Sequence, residues 1–143
     1  MRGGSSALIR RARSTVTFTG AANLGQAGTN TTIFTVTGQI HVVSLTPYCT
    51  TDLTEALATA TLSLGTATQA ALFIAATNSV DIDANEVWTA LAPATRSLAL
   101  PAALKDIEVN DNIIAAAAVQ NTNGGVIRFD LLYVPLSADG LAV

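Results

Sequence analysis

Along residues 33–45, IFTVTGQIHVVSL, apolar and polar positions alternate. Phe34, Val36, Ile40 and Val42 fall on one side and Thr35, Thr37, Gln39 and His41 on the other, with Val43 and Leu45 at the end. Successive side chains of a strand point to opposite sides, so this pattern predicts a β-strand with one buried face and its histidine on the polar face. Pro47 and the threonines of TPYCTTD (46–52) are expected to end it.

The same period recurs. TVTFT (15–19) alternates briefly before the turn-rich GAANLGQAGTNTT (20–32). ATATLSLG (58–65) sets Ala58, Ala60, Leu62 and Leu64 against Thr59, Thr61 and Ser63. QAALFIAAT (69–77) is an apolar run that fits a buried strand around 71–75 or a short helix. VDIDANEVWTAL (80–91) reads as a turn leading into a strand that carries Trp88, and TRSLALPAAL (95–104) as a short extended segment. NIIAAAAVQ and GVIRFDLLYVPL, separated by NTNGG (121–125), have the form of a β-hairpin with a glycine-supported turn. In its second arm Ile127, Phe129, Leu131 and Tyr133 share one face, and Val126, Arg128, Asp130 and Leu132 the other. Alanines 115–118 favour helix and NDN could cap one, but a β-rich pairing partner decides for strand. Seven or eight short strands between turn signals, with no long helical period, predict an all-β fold: an antiparallel β-sandwich, jelly-roll or barrel over 15–143.

Composition changes the picture in one respect. Half of the 143 residues are hydrophobic but only 12% are charged and 5% aromatic, and 26 alanines and 20 threonines make the chain apolar through small residues. Apolar burial stabilises by about 25 cal/mol per Å², so alanines alone build a weak core. Subunit interfaces add buried area and hold few charges at their centres, which points to a homo-oligomer. We expect the polar face Thr35, Thr37, Gln39 and His41, with Trp88, to contribute to subunit contacts, Trp88 doing so either there or as a core anchor.

Charge is distributed unevenly. Arg2, Arg10, Arg11 and Arg13 carry four of the seven basic charges with no acid among them, whereas the remainder sets three basic residues against ten acids. Residues 1–14 are therefore expected to form a flexible basic arm whose Arg10, Arg11 and Arg13 dock on something negative, a neighbouring subunit or a nucleic acid. The body is acidic and poor in aromatics, which speaks against sequence-specific nucleic-acid binding. The longest apolar runs fall far short of the ~20 residues of a membrane-spanning helix, the N-terminal arginines precede no signal-like apolar region, and one cysteine builds no disulfide framework.

Candidate chemistry is sparse. A metal centre needs several converging ligands, and the chain has one histidine and one cysteine, His41 and Cys49; a nucleophilic Cys–His pair would have to be assembled across a proline-containing turn. DIDANE (81–86) and DIEVNDN (106–112) begin like calcium loops, but Glu86 and Asp111 stand where the glycine belongs and Ala92 and Ala117 where the bidentate glutamate belongs. Acidic turns are the simpler account, with a different calcium site on Asp81, Asp83 and Glu86 as the alternative. No nucleophile-elbow, dinucleotide or phosphate-loop motif is present, and neither an enzyme nor a cofactor is expected.

NTTIFTVTGQIHVVSL, LSLGTATQAALFIAATNSVDIDANEVW and VQNTNGGVIRFDLLYVPLSADG resemble a group of small tailed-bacteriophage virion proteins encoded among head and tail genes. The likeness spans about residues 29–143 and leaves the arginine arm outside. It implies a β-sandwich or jelly-roll module, typically a homotrimer, decorating or stabilising the capsid exterior or forming the base of a head spike or fibre. Its partners would be its own copies and the major capsid protein or an adjacent virion protein. A tail, neck or fibre component, and a β-sandwich module for carbohydrate or calcium, are the alternatives.

Overall fold

The computed structural model describes residues 8–89 and 97–143, and among them there is no α-helix. Eleven strands follow in order: β1 (Arg10–Thr17), β2 (Asn30–Phe34), β3 (Val36–Thr37), β4 (Ile40–Glu55), β5 (Thr61–Thr66), β6 (Ile74–Asn78), β7 (Glu86–Val87), β8 (Lys105–Val109), β9 (Ile113–Ala118), β10 (Thr122–Pro135) and β11 (Leu141–Ala142). The first sheet has the order β1-β10-β4, with β7 and β8 both paired to β4; the second runs β2-β9-β5-β6; β3 and β11 make a two-stranded ribbon. Every ladder is antiparallel, and the two large sheets form a sandwich.

The core lies between the sheets. Ile127, Phe129, Leu131 and Tyr133 of β10 all point into it, as the alternation predicts, together with Ile40, Val42, Leu45 and Cys49 of β4. The second sheet contributes Phe34, Leu62, Leu64, Ile74 and Ile113. The alanine run is indeed a strand: Ala115 and Ala117 face the core beside Leu64 and Leu62, their cross-strand neighbours on β5. Setting a small side chain beside a large one lets the layers interdigitate, and burying these leucines contributes about 1.5–3 kcal/mol each.

Several expectations need correction. The strand expected over 33–45 is interrupted at Gly38, whose φ of +65° suits glycine, and where a Cβ would run into Ser137 and Asp139. Beyond it β4 does not stop at Pro47 but continues to Glu55. A residue's N–H and C=O share one edge of a strand, and the Pro47 carbonyl accepts from Trp88 N (2.9 Å). On that edge Pro47 stands opposite Trp88, just past β7, so its missing N–H forgoes only the reciprocal bond to Trp88. The β4–β10 ladder on the other edge, where Pro47 pairs with Phe129, loses no donor. Val43 is skipped in the pairing of β4 with β10, and this bulge returns Leu45 to the buried side.

The expected hairpin is not formed. β9 is flanked by β2 and β5 in one sheet and β10 by β1 and β4 in the other, so residues 119–121 cross between layers. The NTNGG segment falls mostly inside β10, where irregular pairing with β4 absorbs its glycines. Residues 10–14, expected in a flexible arm, are the first part of β1 and pair with Ser14↔Phe129 through Arg10↔Tyr133 of β10. Of QAALFIAAT only its last residues enter a strand, β6. Part of TRSLALPAAL lies outside the described residues; the remainder leads into a single 3₁₀ turn, Ala102–Leu104.

Candidate functional site

The outward face of the first sheet carries most of its charged side chains. Cross-strand register sets Arg11 beside Leu132 and Ser44, Arg13 beside Asp130 and Thr46, and Thr15 beside Arg128 and Tyr48. Asp130 accepts from Arg13 Nε at 2.6 Å through Oδ1 and from Arg128 Nε at 3.1 Å through Oδ2. The Arg128 guanidinium stands 5.1 Å from the centre of the Tyr48 ring, and Tyr48 donates its hydroxyl to Asn85 Oδ1 (3.3 Å). One carboxylate shared by two arginines ties β1 to β10, and the ring contact ties β10 to β4. Each such surface contact contributes at most about 1 kcal/mol.

The two edges of this sheet differ in charge: β1 carries arginines alone, β8 one lysine and two carboxylates. Among the described residues β1 pairs only with β10, which leaves its other edge without a strand partner, and it bears Arg10, Arg11 and Arg13, all exposed. Arg10 and Arg11 have no ion-pair partner among the described residues. Leu8 and Ile9 precede them with 76% and 57% of their surfaces exposed. Across the sheet β8, among the described residues, pairs only with β4 and presents Lys105, Asp106 and Glu108.

His41 belongs to this acidic edge. Its Nδ1 lies 2.7 Å from Glu108 Oε1, and its Nε2 3.3 Å from Asp106 Oδ1, so a protonated ring donates to both. The Glu108 hydrogen bond is the main reason its pKa is raised; partial burial opposes it and Asp106 reinforces it. Asp106 adopts a φ of +57°, an uncommon conformation for a side-chain-bearing residue in a strand. The β4–β8 register runs unshifted past Asp106, and the position where Asp106 stands opposite Val43 is the one left unpaired between Lys105 and Val109.

The other residues expected beside His41 are not on its face. Thr35 exchanges backbone hydrogen bonds with Val143, Thr37 pairs with Leu141 of β11, and the Gln39 carbonyl accepts from Leu136 and Ser137. The turn at Gly38 separates Thr35 and Thr37 from β4, and Gln39 lies between that turn and the first residue of β4. The side chains of Thr35, Thr37 and Gln39 are exposed, but they line the ribbon and its turn. Trp88 is fully buried in the core, and among the described residues its Nε1 has no hydrogen-bond partner.

Cys49 and His41 are not a nucleophile pair. They lie on opposite faces of β4, eight residues and roughly 25 Å apart along the strand. The buried thiol donates to Thr51 O at 3.1 Å, and burial pushes its pKa up to about 11. The candidate calcium residues serve the turn before β7: Glu86 Oε2 accepts from Asp83 N (3.2 Å), and Asp52 Oδ1 from Ala84 N (2.7 Å). Asp111 accepts from both the backbone and the hydroxyl of Thr68. Among the described residues no three histidine, cysteine or carboxylate side chains converge as a metal site.

Sequence reasoning named Arg10, Arg11, Arg13 and His41 but missed their surroundings. The Arg128–Asp130 spacing already placed these two on one strand face; what was lacking was the register that brings Arg13 to Asp130. Asp106 and Glu108 were hidden inside an apparent acidic turn.

No family model and no curated protein matches the chain. Among solved structures it is similar to a chain described as "Cyanophage Pam1 capsid asymmetric unit", with a TM-score of 0.53 and 18% identity. The likeness covers 94% of this chain and 89% of that one. At this identity what is shared is the fold.

Proposed function

We propose that the chain is a structural component of a bacteriophage virion, a homo-oligomer that decorates or stabilises the outside of the capsid or forms the base of a head spike. The observation that carries this is the fold shared along almost the whole chain with a chain from a cyanophage capsid. The chemistry of the side chains supports it. His41 is held between two carboxylates, Cys49 is a buried thiol, and the carboxylates of Asp52, Glu86 and Asp111 satisfy backbone groups in turns. Such uses fit a mechanical role: a rigid sandwich that reinforces its neighbours through backbone and apolar contacts. The arginine-bearing edge with the residues before it is the attachment element, and cyclic symmetry would let one edge contact be reused around an axis.

Labelling purified virions with an antibody against the chain, viewed by electron microscopy, tests this. Label distributed over the head supports it. Label confined to the tail or neck, or particles that lack the chain by mass spectrometry, overturns it.

A further inference from the structure

Strand β8 is pinned at its two ends and loose between them. Leu104, which closes the preceding 3₁₀ turn, and Val109, the last residue of the strand, are 1% and 3% exposed. Lys105, Asp106 and Glu108 are exposed and Ile107 is half-buried. Among the described residues the strand pairs only with β4, from Ser44↔Lys105 to Ile40↔Val109, and Asp106 is left unpaired opposite Val43. Asp106 also holds a φ of +57°, which an L-residue keeps only where its surroundings impose it.

One side chain of β4 reaches into this loose stretch. His41, cross-strand to Glu108, directs Nδ1 to Glu108 Oε1 at 2.7 Å and Nε2 to Asp106 Oδ1 at 3.3 Å. The charged ring donates at both nitrogens. A neutral imidazole has one N–H and one bare nitrogen, so one carboxylate must then face a lone pair instead of a donor. The tautomer that keeps the shorter Glu108 contact turns its bare nitrogen on Asp106, the residue whose backbone the ladder does not hold.

No neighbouring charge takes the proton's place. On β10 the residue beside His41 is Val134; Asp130 lies four positions before it, held by Arg13 and Arg128, and Arg11 of β1 is level with Leu132. Ile40, Val42 and Val43 flank the ring on β4, and the turn Ala102–Leu104 is uncharged. On β8 itself the remaining charge is Lys105, opposite Ser44, which makes no ion pair among the described residues.

We propose that His41 is a pH-sensitive latch: its charged ring fastens the middle of β8 to β4, and loss of the proton lets Lys105–Glu108 bow away from the sheet between Leu104 and Val109. The latch lies within one protomer and works whatever the chain assembles with. Both carboxylates favour the charged ring, so closure is strongest below about pH 6.5, where the released histidine is also charged. It is lost as pH rises through the raised value of the closed form. The contact is open to solvent, which limits the change to about three- to fivefold in the opening equilibrium.

Amide hydrogen exchange followed by NMR tests this. The protection of the slowest amides of Lys105–Glu108 is divided by that of Phe129–Leu131 in the same sample, which cancels the intrinsic acceleration by base. From about pH 5.5 to about pH 8.5 the ratio should fall about three- to fivefold in the unmodified chain and stay level in His41→Gln. Glu108→Gln, whose amide can donate to the bare Nδ1, should reduce the fall by half or more. Dispersion of the amide spectrum verifies that both variants fold. A ratio indifferent to pH in the unmodified chain overturns the latch. So does an equal fall in His41→Gln, or an undiminished one in Glu108→Gln.

Discussion

Nδ1 of His41 lies 2.7 Å from Oε1 of Glu108, directly across the β4–β8 ladder, with Asp106 on the other side of the ring. Both carboxylates favour the charged imidazole, and the folded-state pKa is raised above 6.5. A group raised on folding contributes its full stabilisation below the unfolded pKa and loses it as pH rises through the folded value. Stability should therefore fall from about pH 6.5 upward until the folded pKa is passed, by at most about 1 kcal/mol for so exposed a pair. Because the chain has one histidine, a single imidazole resonance reports the titration. Urea unfolding of the unmodified chain and of His41→Gln at pH 5 to 9 checks the energetics: the slope above pH 6.5 should vanish in the variant, and an equal slope in both would exclude His41 as its source.

Asp130 lies beneath two guanidinium groups, and removing it leaves Arg13 and Arg128 facing one another without a counter-charge. Asp130→Asn is expected to cost about 1 kcal/mol at low salt, with the difference shrinking by half or more at about 1 M salt, where the screening length is ~3 Å. A double-mutant cycle with Arg13→Gln isolates the cross-strand part of this coupling. Zero coupling between the two would mean that the β1–β10 pairing rests on its ladder and on the packing of Ala12 and Val16.

Trp88 combines full burial with an indole N–H that finds no acceptor among the described residues. An unsatisfied buried donor costs about 1–3 kcal/mol, so the ring is retained for its volume. Trp88→Ala should destabilise by about 3–5 kcal/mol through the cavity it leaves. Trp88→Phe should cost less than about half of that, because losing the orphan N–H offsets part of the lost packing. Chemical denaturation of the three proteins measures the difference, and the blue-shifted emission of the lone tryptophan should report its dry surroundings. A phenylalanine variant as unstable as the alanine one would show that the N–H is satisfied in solution.

What the amino-acid order disclosed, and what it hid, follows from the range of each interaction. The alternation at 127–133 was readable because it is set by local geometry and a single buried face. The alanines of β9 were readable as a strand, but not their partners: β9 is enclosed by β2 and β5, which precede it by about 50 to 80 positions. Pro47 read as a stop because proline lacks a donor, and only the register shows that its N–H side faces away from β10, so the long β4–β10 ladder loses no bond to it. Likewise the arginine cluster was plain as charge, whereas the Arg13–Asp130 pair spans 117 positions and depends on register. Trp88 illustrates the converse: a large aromatic in a chain poor in them serves the core of one protomer.

Val119, where the chain leaves β9 to cross to β10, has a φ of +68° and is 67% exposed. For an L-residue the left-handed region costs roughly 1–2 kcal/mol, and β-branching does not ease it. The crossing enforces this conformation: Gln120 N donates to Ala118 O (2.8 Å), and Thr122 N to Gly25 O (2.8 Å), fixing both ends of a three-residue passage between sheets. So little of the valine is packed that its removal should forfeit almost nothing. Val119→Gly is expected to stabilise by about 0.5–1 kcal/mol, relief of strain exceeding the extra freedom that glycine gives the unfolded chain. That corresponds to a rise in Tm of roughly 2–4 °C for a domain of this size. Val119→Ala, which retains a Cβ, should recover little of this gain. Equal melting temperatures for the glycine and alanine variants would show that the passage bears no strain.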